Sequence, residues 1–148
     1  MNEPLIKLLE EDLEKIKLMN ASLSKSLRVC KSINTKGSFA EKEFEKMDVL
    51  TSRFSRLSDF IMQKILRTID KINLEDEGTM RDRLNRAEKN NLISSAEEFA
   101  VIRKLRNDIS HEYIPESMIE IFRNVILYSP LLNDSCKKII KYSKKNYF

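Results

Sequence analysis

The sequence predicts an all-α fold: an antiparallel up-and-down bundle of four to five main helices, with residues 1–148 forming one domain. Three observations carry that expectation. Gly occurs twice, Pro three times and Trp never in 148 residues, while residues that favour helices dominate, which starves a sheet of its turns. Apolar side chains recur at three- and four-residue steps over long stretches. The breaks between those stretches are roughly five to eight residues long, short enough to fold successive helices back beside each other. At 41% apolar residues, a chain of this length can bury a single core.

The first helix is expected from Leu5 to about Ile33, on a stripe of Leu5, Leu8/Leu9, Leu13, Ile16, Met19, Leu23 and Leu27. Pro4 sits at its start, where a missing N–H costs nothing, and Asn34-Thr35-Lys36-Gly37-Ser38 supplies the stop. A second helix follows from about Phe39 to Ile72, on Phe44, Met47, Leu50, Phe54, Leu57, Ile61, Ile65, Leu66, Ile69 and Ile72. Its polar face carries Arg53, Arg56 and Asp59 three residues apart, which by itself reads as a solvated charged face. Asn73 to Thr79 is an acidic break closed by Gly78, a short helix spans about Met80 to Lys89, and Asn90-Asn91 ends it. Ser94 with Glu97 and Ser95 with Glu98 form overlapping capping boxes, which start the next helix at about Ala96. That helix buries Val101, Ile102, Leu105 and Ile109 and runs towards Pro115, which disfavours helical geometry at Ile114. A last helical stretch from about Glu116 is expected to break or kink at Ser129-Pro130. Its closing lysines, Lys137, Lys138, Lys141, Lys144 and Lys145, complement the helix dipole and read as structural.

The 27 basic and 23 acidic residues give a net charge of +4, which permits an anionic partner without demanding one. Cys30 and Cys136 have no metal-ligand spacing, and with one His in the chain they cannot complete a four-ligand zinc site. They are expected to be reduced and half buried; no metal and no cofactor is expected. No stretch approaches the ~20 apolar residues that span a bilayer, and the N-terminal segment lacks a basic stretch followed by an apolar one. The expectation is a cytoplasmic protein with no membrane partner.

The only histidine, His111, stands in Leu105-Arg106-Asn107-Asp108-Ile109-Ser110-His111-Glu112-Tyr113, five positions after Arg106. At about 100° per residue, Arg103, Asn107 and His111 form one row of the helix, with Arg106, Ser110 and Tyr113 in the row beside it. Arg106 and His111 are about 140° apart on an ideal helix, so their contact needs the long arginine stem or a distortion near Pro115. A guanidinium fork suits a phosphate, and imidazole transfers protons near neutral pH. RNA carries its own nucleophile, the 2′-OH, and its cleavage needs a base, an acid and a cation for the charged intermediate. One histidine per chain cannot supply two imidazoles, so a two-histidine version requires a homodimer that brings two motifs into one cleft. Spacing alone leaves a helix-end cation as the plainer reading of His111.

Arg106-Asn107-Asp108-Ile109-Ser110-His111-Glu112-Tyr113 resembles the R-x-x-x-x-H-x-Y signature of the HEPN domain superfamily, specifically its HepT-like toxins. The stretch from Arg53 to Ile61 resembles the corresponding helix of that family more loosely, and the motif's place before the last helix of an all-α chain of this length also fits. The resemblance implies a HEPN-like bundle and a metal-independent endoribonuclease, homodimeric, that leaves a 2′,3′-cyclic phosphate. Arg106 would orient and neutralise the scissile phosphate and His111 would transfer protons, with Asn107, Asp108, Ser110, Arg103, Arg53 and Arg56 in support. It further implies a type VII-like toxin–antitoxin pair, in which an MntA-type nucleotidyltransferase antitoxin silences the toxin by attaching AMP to the motif tyrosine, here Tyr113. A non-catalytic regulatory partner of a nucleotidyltransferase would use the same fold and the same tyrosine, and remains the alternative.

Overall fold

The computed structural model describes residues 2–34, 39–111 and 115–148, with residues 115 and 116 described by their backbone alone. Among these residues every regular element is helical: α1 (Glu3–Cys30), α2 (Glu41–Asp59), a π-helical segment (Phe60–Ile65), α3 (Leu66–Ile72), α4 (Met80–Lys89), α5 (Ala96–His111) and α6 (Pro115–Asn146). They pack as an all-α bundle. The expected stop at Asn34 to Ser38 falls mostly outside the described residues, as do Tyr113 and Ile114.

α1 starts two residues earlier than its apolar stripe, because Asn2 Oδ1 accepts from the Leu5 amide at 3.2 Å and Pro4 sits in the first turn. It ends at Cys30, short of the expected Ile33. α2 runs back along it: Cys30 Sγ donates to the Lys46 carbonyl, Arg53 reaches Ser26 and Ser22, and Lys64 approaches the buried Asp12. These pairs rise in one helix as they fall in the other, which is antiparallel packing. α6 returns along α1 through Ser24 and Asn133, and Asn73 holds Tyr142 and Tyr147 where α3 meets the end of α6. Phe54, Phe99 and Phe122 are the largest fully buried side chains, one each from α2, α5 and α6.

The second helix is not uniform. Leu57, Ile61, Ile65 and Ile69 recur at four-residue steps, and an ideal α-helix of 3.6 residues per turn would rotate each step about 40° away from the core. The wider turn at Phe60–Ile65 takes up that drift, and all four side chains are buried. The Met62 carbonyl within it accepts from Arg83 of α4 at 3.2 Å.

At α4, Thr79 Oγ1 accepts from the Asp82 amide while Asp82 Oδ2 accepts from the Thr79 amide. Gly78 before it has φ +88°, and a side chain there would overlap the Asp82 carboxylate. Asn91, at φ +58°, ends the helix in the left-handed region, at the expected Asn90-Asn91 stop. α4 is fixed to α3 by Asp70, which pairs with Arg86 at 2.8 Å and Arg83 at 3.5 Å.

Four expectations need correction. Of the two capping serines, Ser95 is the one whose hydroxyl accepts from the Glu98 amide, while Glu97 turns to Arg81 at 2.9 Å. α6 does not break at Pro130: the ring lies on its exposed face, and Ser129 Oγ donates to the Val125 carbonyl within the same helix. Both cysteines are fully buried rather than half buried, each 1% exposed, and burial pushes the Cys136 thiol up to about 12. Val101, expected in the core, is 39% exposed.

Candidate functional site

α5 has one buried face, Phe99, Ile102 and Leu105, and it places the motif side chains around its remaining circumference. Arg106 reaches another helix. Its Nε donates to Asp59 Oδ1 at 2.7 Å and its Nη1 to Ser110 Oγ at 2.6 Å. Neither bond uses Nη2. Asp59 is the last residue of α2 before the π-helical segment, so the change of helical pitch falls beside the arginine's anchor.

The hydrogen bond to Asp59 pushes the Arg106 guanidinium above its ordinary value, against the opposing effect of burial. The group therefore stays a cation. Two of its five donors are fixed by protein, which pre-sets the plane of the fork and lowers the entropy cost of binding an anion.

His111 is the last residue of α5 and is exposed. Among the described residues its side chain makes no hydrogen bond or ion pair. The arrangement within one chain is thus a fixed cation five residues before an exposed imidazole that, among the described residues, has no partner to orient it.

The other expected supporting residues are not brought to Arg106. Arg103 and Asn107 line a groove against α4, with Met80, Arg81, Leu84, Ala100 and Lys104. Asp108 faces α6 in a separate recess with Asn124 and Tyr128. Arg53 is tied to α1, 2.7 Å from Ser26 Oγ and 2.9 Å from the Ser22 carbonyl, so it fastens two helices together. Arg56 bonds Ser52 on its own helix. Ser110 does join Arg106, and Tyr113 lies outside the described residues.

The sequence matches no known family model and no curated protein. What the chain does must therefore be argued from the site itself. Among the described residues no cluster of three or more His, Cys, Asp or Glu side chains forms an arrangement that could hold a metal ion, and no helix is long and apolar enough to cross a membrane.

Asp59 is the partner of Arg106 that the sequence does not announce. A trace was present: it is the one acid in the row Arg53, Arg56, Asp59. An acid three residues from one of two arginines invites an intrahelical pair, but Asp59 bonds a residue 47 positions away instead.

Proposed function

We propose that this protein is a metal-independent endoribonuclease of the HepT-like type within the HEPN superfamily, working as a homodimer. The observation that carries the reading is Arg106, held by Asp59 and Ser110 through Nε and Nη1 with Nη2 unused, five residues before an exposed and unpartnered His111. In this reading one His111 takes the proton from an RNA 2′-OH, the 2′-oxygen attacks the adjacent phosphorus, and the 5′-oxygen leaves with a proton from the His111 of the second copy. The products are a 2′,3′-cyclic phosphate and a free 5′-OH. Arg106 binds the non-bridging oxygens as their negative charge grows, through charge-assisted hydrogen bonds.

Asp59 acts as a positioning residue, aiming the guanidinium without touching RNA. In the toxin–antitoxin form of this reading, an MntA-type nucleotidyltransferase adds AMP to Tyr113. The new phosphate would then compete for the anion site at Arg106 and exclude RNA.

Cleavage of a uridine-containing oligonucleotide in EDTA, with the products resolved for a cyclic phosphate end, tests the proposal. His111→Ala is expected to lower the rate by about 10²–10⁴-fold, the range for loss of a general acid–base group. EDTA-resistant cleavage that persists at the wild-type rate in that variant overturns the assignment of His111. Mixing wild-type with His111→Ala protein probes the dimer: activity falling as the square of the wild-type fraction is expected if one cleft needs His111 from both chains, and a linear fall overturns the shared cleft.

A further inference from the structure

The groove between α4 and α5 lies beside the proposed site on the same helix. It has a volume of about 190 Å³, and Met80, Leu84 and Ala100 give it an apolar floor. Its polar lining is Arg81, Arg103, Lys104 and Asn107, with no carboxylate among them. Glu97 offsets the charge of Arg81 at 2.9 Å. Arg103 and Lys104 are exposed and have no ion pair or hydrogen bond among the described residues, and Lys104 also borders the recess that holds Asp108.

Arg103, Asn107 and His111 follow one another at four-residue steps, so the row that walls the groove winds towards the histidine, turning about 40° at each step. At 1.5 Å per residue the distance along the axis from Arg103 to His111 is about 12 Å. We infer that this groove is the binding track for the single-stranded RNA flanking the scissile phosphate, with Arg103 and Lys104 on backbone phosphates and a base against the floor at Met80 and Ala100. The inference rests on the ribonuclease reading for its substrate and adds the direction in which the strand leaves the site. An unpaired strand fits because its bases are free to lie on an apolar floor, while an A-form duplex presents mainly phosphates and sugars.

The test is the binding of a fluorescein-labelled 2′-O-methyl oligouridylate, which lacks the nucleophile and cannot be cleaved, measured by anisotropy from 50 to 300 mM salt. The double variant Arg103→Gln/Lys104→Gln is expected to weaken binding about tenfold at 50 mM salt. It should also flatten the dependence of log K on log salt by about 1.4, or about 0.7 for each lost contact to a single strand. Lys137→Gln/Lys145→Gln removes the same charge from α6 and is expected to leave both quantities near wild type. Equal weakening by the two doubles, or none by the first, overturns the groove. Both doubles replace exposed side chains, and matching thermal unfolding curves confirm that they fold. Wild-type cleavage with unchanged binding in the groove double removes the track and leaves the nuclease standing; lost binding with no wild-type cleavage does the reverse.

Discussion

Asp70 with Arg86, at 2.8 Å, and Asp59 with Arg106, at 2.7 Å, are the same chemical bond in two surroundings. The Asp70 side chain is 8% exposed and the Asp59 side chain 42%. Around Asp70 the network is closed to solvent: Arg83 also approaches it, and the two arginines donate through Nη1 to the Met62 and Glu77 carbonyls, while their Nε groups are buried without a hydrogen-bond partner among the described residues. Around Asp59 it is open, because Arg106 spends Nε and Nη1 on protein and keeps Nη2. A closed network holds α4 against α3, whereas an open one holds a donor in place for something else.

The difference predicts opposite profiles on mutation. Asp70→Ala leaves two arginines without their buried counter-charge, and such a break costs about 3–5 kcal/mol when the pair is fully buried. With Arg83 and Arg86 at 15% and 22% exposure, the expected loss is at the lower end, about 3 kcal/mol. That is a fall in melting temperature of roughly 6–12 °C for a chain of this size. Asp59→Asn should cost less than about 1 kcal/mol, since the pair is partly solvated and screened. Its effect belongs to turnover: the proposed role of positioning Arg106 predicts a roughly tenfold lower kcat with little change in KM, equivalent to about 1.4 kcal/mol on the barrier. Calorimetry and cleavage assays on the two variants read both axes. A large loss of stability in Asp59→Asn with unimpaired turnover would erase the distinction between the two networks.

Periodic features were legible in the sequence, and long-range partners were not. The stripes of the two long helices, the Asn90-Asn91 stop and the all-α class follow from local spacing, which the chain carries within a few residues of itself. The π-helical segment left a trace in the four-residue steps from Leu57 to Ile69, though a stripe tolerates some drift before it points away from the core. Arg53 is tied to the motif only by the looser resemblance of the run from Arg53 to Ile61. Its bonds to Ser22 and Ser26 depend on how α1 and α2 are set against each other, which no local pattern fixes. The unbroken α6 has the same origin: proline disfavours a helix locally, and Ile121, Phe122, Val125, Leu132 and Ile139, buried on both sides of it, outweigh that cost.

The smallest expected effect comes from a third aspartate, Asp82, which is exposed and bonded within its own turn. The Thr79 amide and then the Thr79 hydroxyl hold its carboxyl below the ordinary carboxylate value, with burial opposing and Arg86 assisting. Because the folded state lowers this pKa, the capping contribution is fully present above the unfolded value, near 3.9, and is lost as pH falls through the lower folded value. Asp82→Asn keeps an oxygen that can accept from the Thr79 amide but removes the charge at the N-terminus of α4. The variant should therefore melt slightly below wild type at pH 7, with the gap closing as the pH falls through the lowered folded value, where the wild-type carboxyl also becomes neutral. Melting curves at pH 7, 4 and 2.5 decide it. A gap that stays constant over that range would mean that the carboxylate's charge does no capping here. Asp82 would then act through shape alone, unlike both Asp70, which faces two half-buried arginines, and Asp59, which is bonded to one.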